Sequence, residues 1–279
     1  MDELDHGVRL RVRYDGTGFH GWQFQDGQRT AQGALEEAIN AMGITASRVR
    51  GASRTDAGVH AMDQVCAFRC GQQVPDHGWV VGLNGHLPSD ISVRDARACH
   101  RLYNPRFDAD KKLYRYQVQV GSTRNPMTQR YAWQYGPRIA RRDQGRDRSE
   151  RVEDYLDLAA MGDAAARLEG EHDFQAFRAY DDGREHTKRR LHSVRLHPGF
   201  GGDDAMLAIE IEGDGFMKNM VRILVGTLTD IGRHRLEPAV VGAMLQGGKR
   251  AMGGPTAPAH GLCLQRIWLK LGDHKRAET

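Results

Sequence analysis

The chain has 279 residues, enough for two compact halves, and 39% of them are hydrophobic, enough to fill a real core. A formal net charge of +4 with 27% charged residues excludes a histone-like polycation and fits a weakly basic protein with an anionic partner. Four scattered cysteines (Cys66, Cys70, Cys99, Cys263) exclude a disulfide scaffold, and the acidic start without a following apolar run gives the expectation of a cytoplasmic protein with no signal peptide and no membrane span.

Val8, Leu10, Val12 and Tyr14 alternate with Arg9, Arg11 and Arg13, which predicts a strand with one apolar and one basic face. That basic face either lines a groove or is solvated. The Gly-rich run from Asp15 to Gln23 carries Phe19 and Trp22 but lacks the ending of a nucleotide-binding loop, which argues against an ATP site. Leu35, Ala38, Ile39 and Met42 form a helical stripe over 30–42, closed by Gly43. Short strands are expected at 48–50 and 64–70, and Cys66, Phe68 and Cys70 share one strand face as packing residues.

Between those strands runs Gly51-Ala52-Ser53-Arg54-Thr55-Asp56-Ala57-Gly58-Val59-His60-Ala61. Arg54 and Asp56 face the same side if this segment is extended, since strand side chains repeat every second residue. A charged pair among small residues suits a site that grips a polyanion and presents a nucleophile or base. The competing reading is a turn with a surface ion pair, which contributes little. A helix over 79–87 stops before Pro88, and a strand over 91–101 follows. Short strands with helical crossovers point to α+β rather than a doubly wound parallel sheet.

Around Pro105 the pattern restarts. Lys112, Tyr114, Tyr116, Val118 and Val120 alternate with Leu113, Arg115, Gln117 and Gln119, which predicts a strand with both tyrosines on its more apolar face. The charged stretch 136–154, rich in arginine over 138–151, reads as a solvated insertion or linker with some RNA-contact character. A helix is expected over 152–168, with strands near 189–197 and 205–212. Met217, Met220, Val221, Leu224, Leu228 and Ile231 make a strong helical stripe. Lys218 and Arg222 lie on another face in its first turns, where cations oppose the helix dipole. That cost favours a functional role over a plain surface pair. A helix at 237–245 and a strand at 262–269 complete the pattern.

Ordered blocks along nearly the whole chain resemble the bacterial tRNA pseudouridine synthase A family. They are Tyr14-Asp15-Gly16-Thr17 with Phe19 and Gly21-Trp22-Gln23, then Gly51 to Ala61, then Leu83-Asn84 with Leu87-Pro88 and Asp90-Ile91. Arg106-Phe107, Lys112 with Tyr114 and Tyr116, and His172-Asp173-Phe174 follow. The last are Gly215-Phe216-Met217, Met220-Val221-Arg222, Val225-Gly226-Thr227-Leu228, and Pro255 to Ala259 with Gly261-Leu262. Three positions depart from the family pattern: Ser53 stands where Gly is usual, Tyr103-Asn104-Pro105 replaces Phe-His-Ala, and Gly253 stands where Ala is more common.

The resemblance implies an isomerase that converts uridine to pseudouridine at tRNA positions 38, 39 and 40, without cofactor or catalytic metal. It implies a homodimer that holds one tRNA across both subunits. The implied fold is α+β: halves at 1–106 and 107–279 whose sheets merge into one large, mostly antiparallel sheet with flanking helices, and a cleft between them. By the same resemblance Asp56 is the nucleophile, attacking the ribose C1′ or the uracil C6, or assisting a glycal. Arg222 is its ion-pair partner from the second half. Arg54 enters the space left by the extruded base or binds flanking phosphates, and Tyr114 stacks on the flipped uracil. Phosphate contacts fall to Arg9, Arg11, Arg13, Arg50 and Lys218.

Two other classes stay open. A non-catalytic RNA-binding module needs the basic strand face but no Asp56. A carboxylate-dependent nucleoside hydrolase needs a second catalytic carboxylate, and nothing in the sequence marks the nearest acidic residue, Asp63, as one.

Overall fold

The computed structural model describes residues 4–136 and 150–270, and the chain divides into two compact units: Met1–Lys112 with Cys263–Thr279, and Leu113–Leu262. This division falls after Lys112 and returns the last strand to the first unit. Most of the arginine-rich stretch, 138–149, lies outside the described residues.

In chain order the elements are β1 (His6–Tyr14), α1 (Ala31–Ala41), β2 (Arg50–Gly51), β3 (His60–Cys70), α2 (Asp76–His86), β4 (Ile91–Cys99) and α3 (Pro105–Asp108). Then come β5 (Ala109–Val120), β6 (Trp133–Tyr135), α4 (Leu158–Ala166), β7 (Gly170–Asp173), β8 (Lys188–Pro198) and β9 (Met206–Gly213). The helices α5 (Met220–Gly232) and α6 (Ala239–Leu245) and the strand β10 (Leu262–Leu269) complete the set. Among the described residues this is an α+β chain, as the sequence implied.

In the first unit the strand order is β4-β1-β3-β10. β1 runs antiparallel to both β3 and β4. β3 shares its other edge between two partners: β10 lies parallel against His60 and Ala61, and β2 lies antiparallel against Cys66 and Ala67. A strand with neighbours on both edges and cover on both faces is buried nearly throughout, which is why Val65, Cys66, Ala67 and Phe68 carry no polar alternation. The Phe68 ring packs edge-on against Trp79 of α2 at 5.2 Å, so α2 lies over the even-numbered face of β3. Thr30 caps α1 by accepting from the Gly33 N–H at 3.1 Å, and Gly43 follows its end at φ 74°. Buried Leu10, Leu35, Ile39, Trp79 and Leu83 make this core, each contributing about 1.5–3 kcal/mol of transfer free energy.

In the second unit β5, β9, β8 and β7 are neighbours in that order, and β6 runs parallel to the end of β5. The antiparallel pairs β8–β9 and β7–β8 leave Leu191, Leu207, Ile209 and Ile211 buried, and α5 presents Met220, Ile223, Leu224, Leu228 and Ile231 to the same core. Two boundaries differ from the sequence pattern. The helix expected over 152–168 is instead a 3-10 turn at Val152–Asp154 followed by α4. Asp157 breaks it, because its side chain caps α4 through the Ala160 N–H at 2.9 Å and a capping residue must leave the helical conformation. The helix α5 begins only at Met220, after Asn219 in a left-handed conformation at φ 60°. Lys218 therefore precedes the helix, and only Arg222 bears the dipole cost assigned to both.

Cys66 and Cys70 are buried, as packing residues should be, and burial pushes the Cys66 thiol up from its usual 9.0. Among the described residues no helix is long and apolar enough to cross a membrane.

Candidate active site

The loop at 52–59 joins β2 to β3 and carries two of the predicted site residues. Arg54 is exposed, Thr55 is buried and Asp56 is half-buried, so the two charged side chains do alternate with an inward residue. Several backbone groups around them are tied down. Ala52 N–H donates to Val65 O at 2.8 Å, and the buried Gln64 carboxamide clamps Ser53, accepting from its N–H at 3.2 Å and donating to its carbonyl at 2.6 Å. Thr55 Oγ1 lies 2.7 Å from Tyr14 Oη. Val59 N–H donates to Asp56 O at 3.2 Å and closes a tight turn.

The Gly-rich N-terminal run supplies the cradle for this loop. Trp22 N–H donates to Thr55 O at 3.1 Å, and Gly58 N–H donates to Phe19 O at 3.2 Å. Gly16 lies so close that a Cβ there would sit 2.1 Å from Val59 O, a contact only glycine permits. Phe19 and Trp22 are buried against Tyr14, anchoring the run rather than facing solvent. Lys112, from the start of β5, donates from Nζ to Ala52 O at 2.8 Å. Two sequence blocks that read separately thus hold the backbone of the loop that carries Asp56, the kind of support a preorganised site requires.

Ser53 adapts to its unusual position without strain. Among the described residues only Asn219 and His234 are non-glycines with positive φ, so the place usually held by glycine does not demand a left-handed backbone here. Asp63 does not act as a second catalytic carboxylate. It is buried, ion-paired with Arg11, and accepts from the Ile267 N–H at 3.3 Å. Its role is structural, which weakens the hydrolase reading.

The basic face of β1 divides into three environments. Arg11 is held by Asp63 and by Ile267 O, Arg13 donates to Ser92 Oγ at 3.0 Å in solvent, and Arg9 is buried. Arg50 is exposed on β2, four residues before Arg54.

The second unit mounts the remaining candidates. Tyr114 is buried on β5, with its ring edge-to-face against Phe216 at 5.2 Å and 85°. Arg222 donates from Nε to Ala257 O at 2.7 Å and from Nη1 to Asn219 Oδ1 at 2.9 Å. Ala257 N–H returns a bond to Arg222 O at 3.1 Å, and Tyr116 Oη donates to Pro258 O at 2.8 Å. Burial pushes the Tyr116 hydroxyl far up from its usual 10.0, while the charge of Arg222 acts in the opposite direction. The segment Pro255–Ala259 therefore clasps the first turns of α5. At Gly226 a Cβ would lie 1.8 Å from Pro255 O, so this contact too depends on glycine. Gly253, where the family more often has alanine, faces Met244, whose methyl would lie 2.7 Å from an added Cβ. That methionine fills the space.

Lys218 is exposed and ion-paired with Asp181, whose carboxyl it holds below the usual range. Its backbone is stitched to the same loop: Lys218 N–H donates to buried Asp182 at 2.9 Å, and Ala179 N–H donates to Lys218 O at 3.1 Å. Sequence patterns pointed to neither Asp182 nor Gln64, because both act through main-chain groups distant in the chain. Lys112 did carry a signal, standing two residues before Tyr114 in the alternating strand.

A sequence profile described as tRNA pseudouridine synthase matches residues 10–108 and 164–267. The chain is 38% identical over 262 residues to tRNA pseudouridine synthase A of Citrifermentans bemidjiense, covering 94% of this chain and 96% of that protein. It is 38% identical to the Geobacter sulfurreducens protein of the same description, over 93% of this chain and 98% of that one. To the Myxococcus xanthus protein it is 36% identical, over 96% of this chain and 94% of that one.

Proposed function

The chain belongs to the tRNA pseudouridine synthase family and is an isomerase acting on tRNA, and on that premise we propose that it converts uridine to pseudouridine at positions 38, 39 and 40 of the anticodon stem-loop, with Asp56 as nucleophile. The observation that supports the assignment is the Asp56 turn, in a loop whose backbone is held by two independent sequence blocks and by Lys112.

The reaction exchanges bonds without redox change. The N1–C1′ bond breaks, the uracil rotates, and a C5–C1′ bond forms; the proton leaves C5 and N1 ends protonated. Asp56 attacks C1′ or C6, or assists a glycal, roles open to a carboxylate beside a glycosidic carbon. Arg222 supplies the positive charge that favours its ionised form. Arg54, exposed beside it, fills the space of the extruded base or binds the flanking phosphates. Tyr114 stacks on the flipped uracil and assists removal of the C5 proton. Arg50 and Lys218 contact phosphates, and for Lys218 that contact competes with Asp181. A homodimer holds one tRNA across its two copies.

The test is tritium release from tRNA carrying C5-labelled uridine. Asp56→Ala keeps its fold and its tRNA affinity and releases no tritium. Full activity in that variant removes Asp56 from the mechanism. Free uracil among the wild-type products would favour a hydrolase, and tRNA binding without release would favour a non-catalytic module.

A further inference from the structure

We infer that the first unit carries a phosphate site of its own, a groove beside β2 that takes backbone phosphate oxygens of the RNA away from the reacting nucleotide. The inference rests on the reading of tRNA as substrate. The strand registers build the site. Arg9 on β1 lies opposite Ala67 on β3, and Ala67 lies opposite Arg50 on β2. Directly opposed residues of antiparallel strands share a face, so Arg9 and Arg50 flank the small Ala67 side chain. Two residues further along β3, Arg69 occupies the same face. The Phe68 face, turned toward Trp79, is the other side. The groove there is lined by Ser47, Arg50, Ala67, Arg69, His100 and Tyr103.

The charges in and beside this groove are unbalanced. Arg9 is 9% exposed, and its Nε meets no acceptor among the described residues. The guanidinium groups of Arg9, Arg50 and Arg69 make no hydrogen bond or ion pair with any described residue. The neighbouring arginines differ: Arg48 is paired with Glu36, Arg97 with Asp76 and Asp95, and Arg101 with Asp5. The nearby carboxylates are thus taken by those three arginines, while Arg50 and Arg69 in the groove and buried Arg9 beside Ala67 are left without one. A buried guanidinium without a counter-charge is costly unless an anion joins it.

The shape selects the anion. The groove is open and small, about 20 Å³, room for an oxygen or two of a backbone phosphate. Arginine forks match phosphate geometry, and no base-edge reading is needed. Arg50 precedes Asp56 by six residues, so the chain places the groove at most about 21 Å from the nucleophile. That reach suits a phosphate of the same RNA a few nucleotides from the flipped base.

The test is the salt dependence of binding of unmodified tRNA by the full-length protein, compared for wild type, Arg69→Ala and Arg9→Met. Each variant is expected to raise Kd about three- to tenfold at low salt and to lower the slope of log Kd against log salt by about 0.7–0.9, one phosphate contact's share. A folding defect alone would not change that slope. If Arg9→Met fails to fold, Arg69→Ala decides alone. An unchanged slope in folded Arg69→Ala overturns the inference, whether or not Kd moves. Tritium release by the wild type separates the two readings. Release with an unchanged slope sinks only the groove, and a lowered slope without release leaves the groove standing and sinks the reaction.

Discussion

Tyr14 Oη and Thr55 Oγ1 lie 2.7 Å apart in a buried position, joining the last residue of β1 to the residue between Arg54 and Asp56. The bond connects the sheet directly to the loop that carries Asp56, so a change at Tyr14 is felt at Asp56. Tyr14→Phe keeps the ring and its packing on Phe19 and Trp22 but leaves Thr55 Oγ1 without that partner. The expected cost is about 1–2 kcal/mol in urea unfolding. Tritium release at saturating tRNA should fall by about tenfold, since a small misplacement of a reacting group is expensive. Equal loss of stability with unchanged turnover would show that this bond does not set the loop.

Much of the first unit was legible in its sequence. Alternation over Val8–Tyr14 and the stripe over Leu35–Met42 gave β1 and α1 within a residue or two, because each presents one apolar face. The basic face of β1 was less legible. The same alternation puts Arg9, Arg11 and Arg13 on one side, but burial of the first, ion pairing of the second and exposure of the third depend on β3, β4 and β10. The second unit shows the same limit. Lys218 falls within the helical pattern that runs from Met217, yet left-handed Asn219 starts the helix after it, and Asp182, 36 residues earlier, holds its N–H. Candidate site residues were found where chemistry and spacing coincide, as at Arg54 and Asp56. The groups that hold them, Gln64 and Asp182, carried no local signal, since a side chain that binds distant main chain leaves no periodic trace.

Alkaline pH should weaken the first unit through Cys66. Burial raises its thiol above the usual 9.0, so the folded state keeps the proton where the unfolded chain releases it. The sign follows from linkage: the contribution is complete below the unfolded value and is lost as pH rises above it. One such group costs about 1.4 kcal/mol per pH unit, or about 2 kcal/mol by pH 10.5. Tyr116, raised from 10.0 by burial, acts in the same direction on the second unit at still higher pH. Urea unfolding of Cys66→Val between pH 8 and 10.5 should show a shallower decline than wild type by that amount. Parallel curves would mean that the unfolded chain does not ionise this thiol in that range.

Asn219 separates the geometry of Arg222 from the stability of α5. Its backbone is left-handed at φ 60°, a conformation glycine adopts without the crowding of a Cβ. Its side chain accepts from Arg222 Nη1, while Arg222 Nε is held independently by Ala257 O. Asn219→Gly therefore removes one anchor of the guanidinium and keeps the turn, with stability expected within about 0.5 kcal/mol of wild type. Asn219→Ala removes the same anchor and adds backbone strain of about 1–2 kcal/mol. If Asn219 positions Arg222 for the reaction, both variants lose turnover equally, by about tenfold, although only the alanine variant is destabilised. The two quantities are read by tritium release at saturating tRNA and by urea unfolding. Turnover that follows stability, with the glycine variant fully active, would reduce Asn219 to a helix-start residue and leave Ala257 as the anchor that matters.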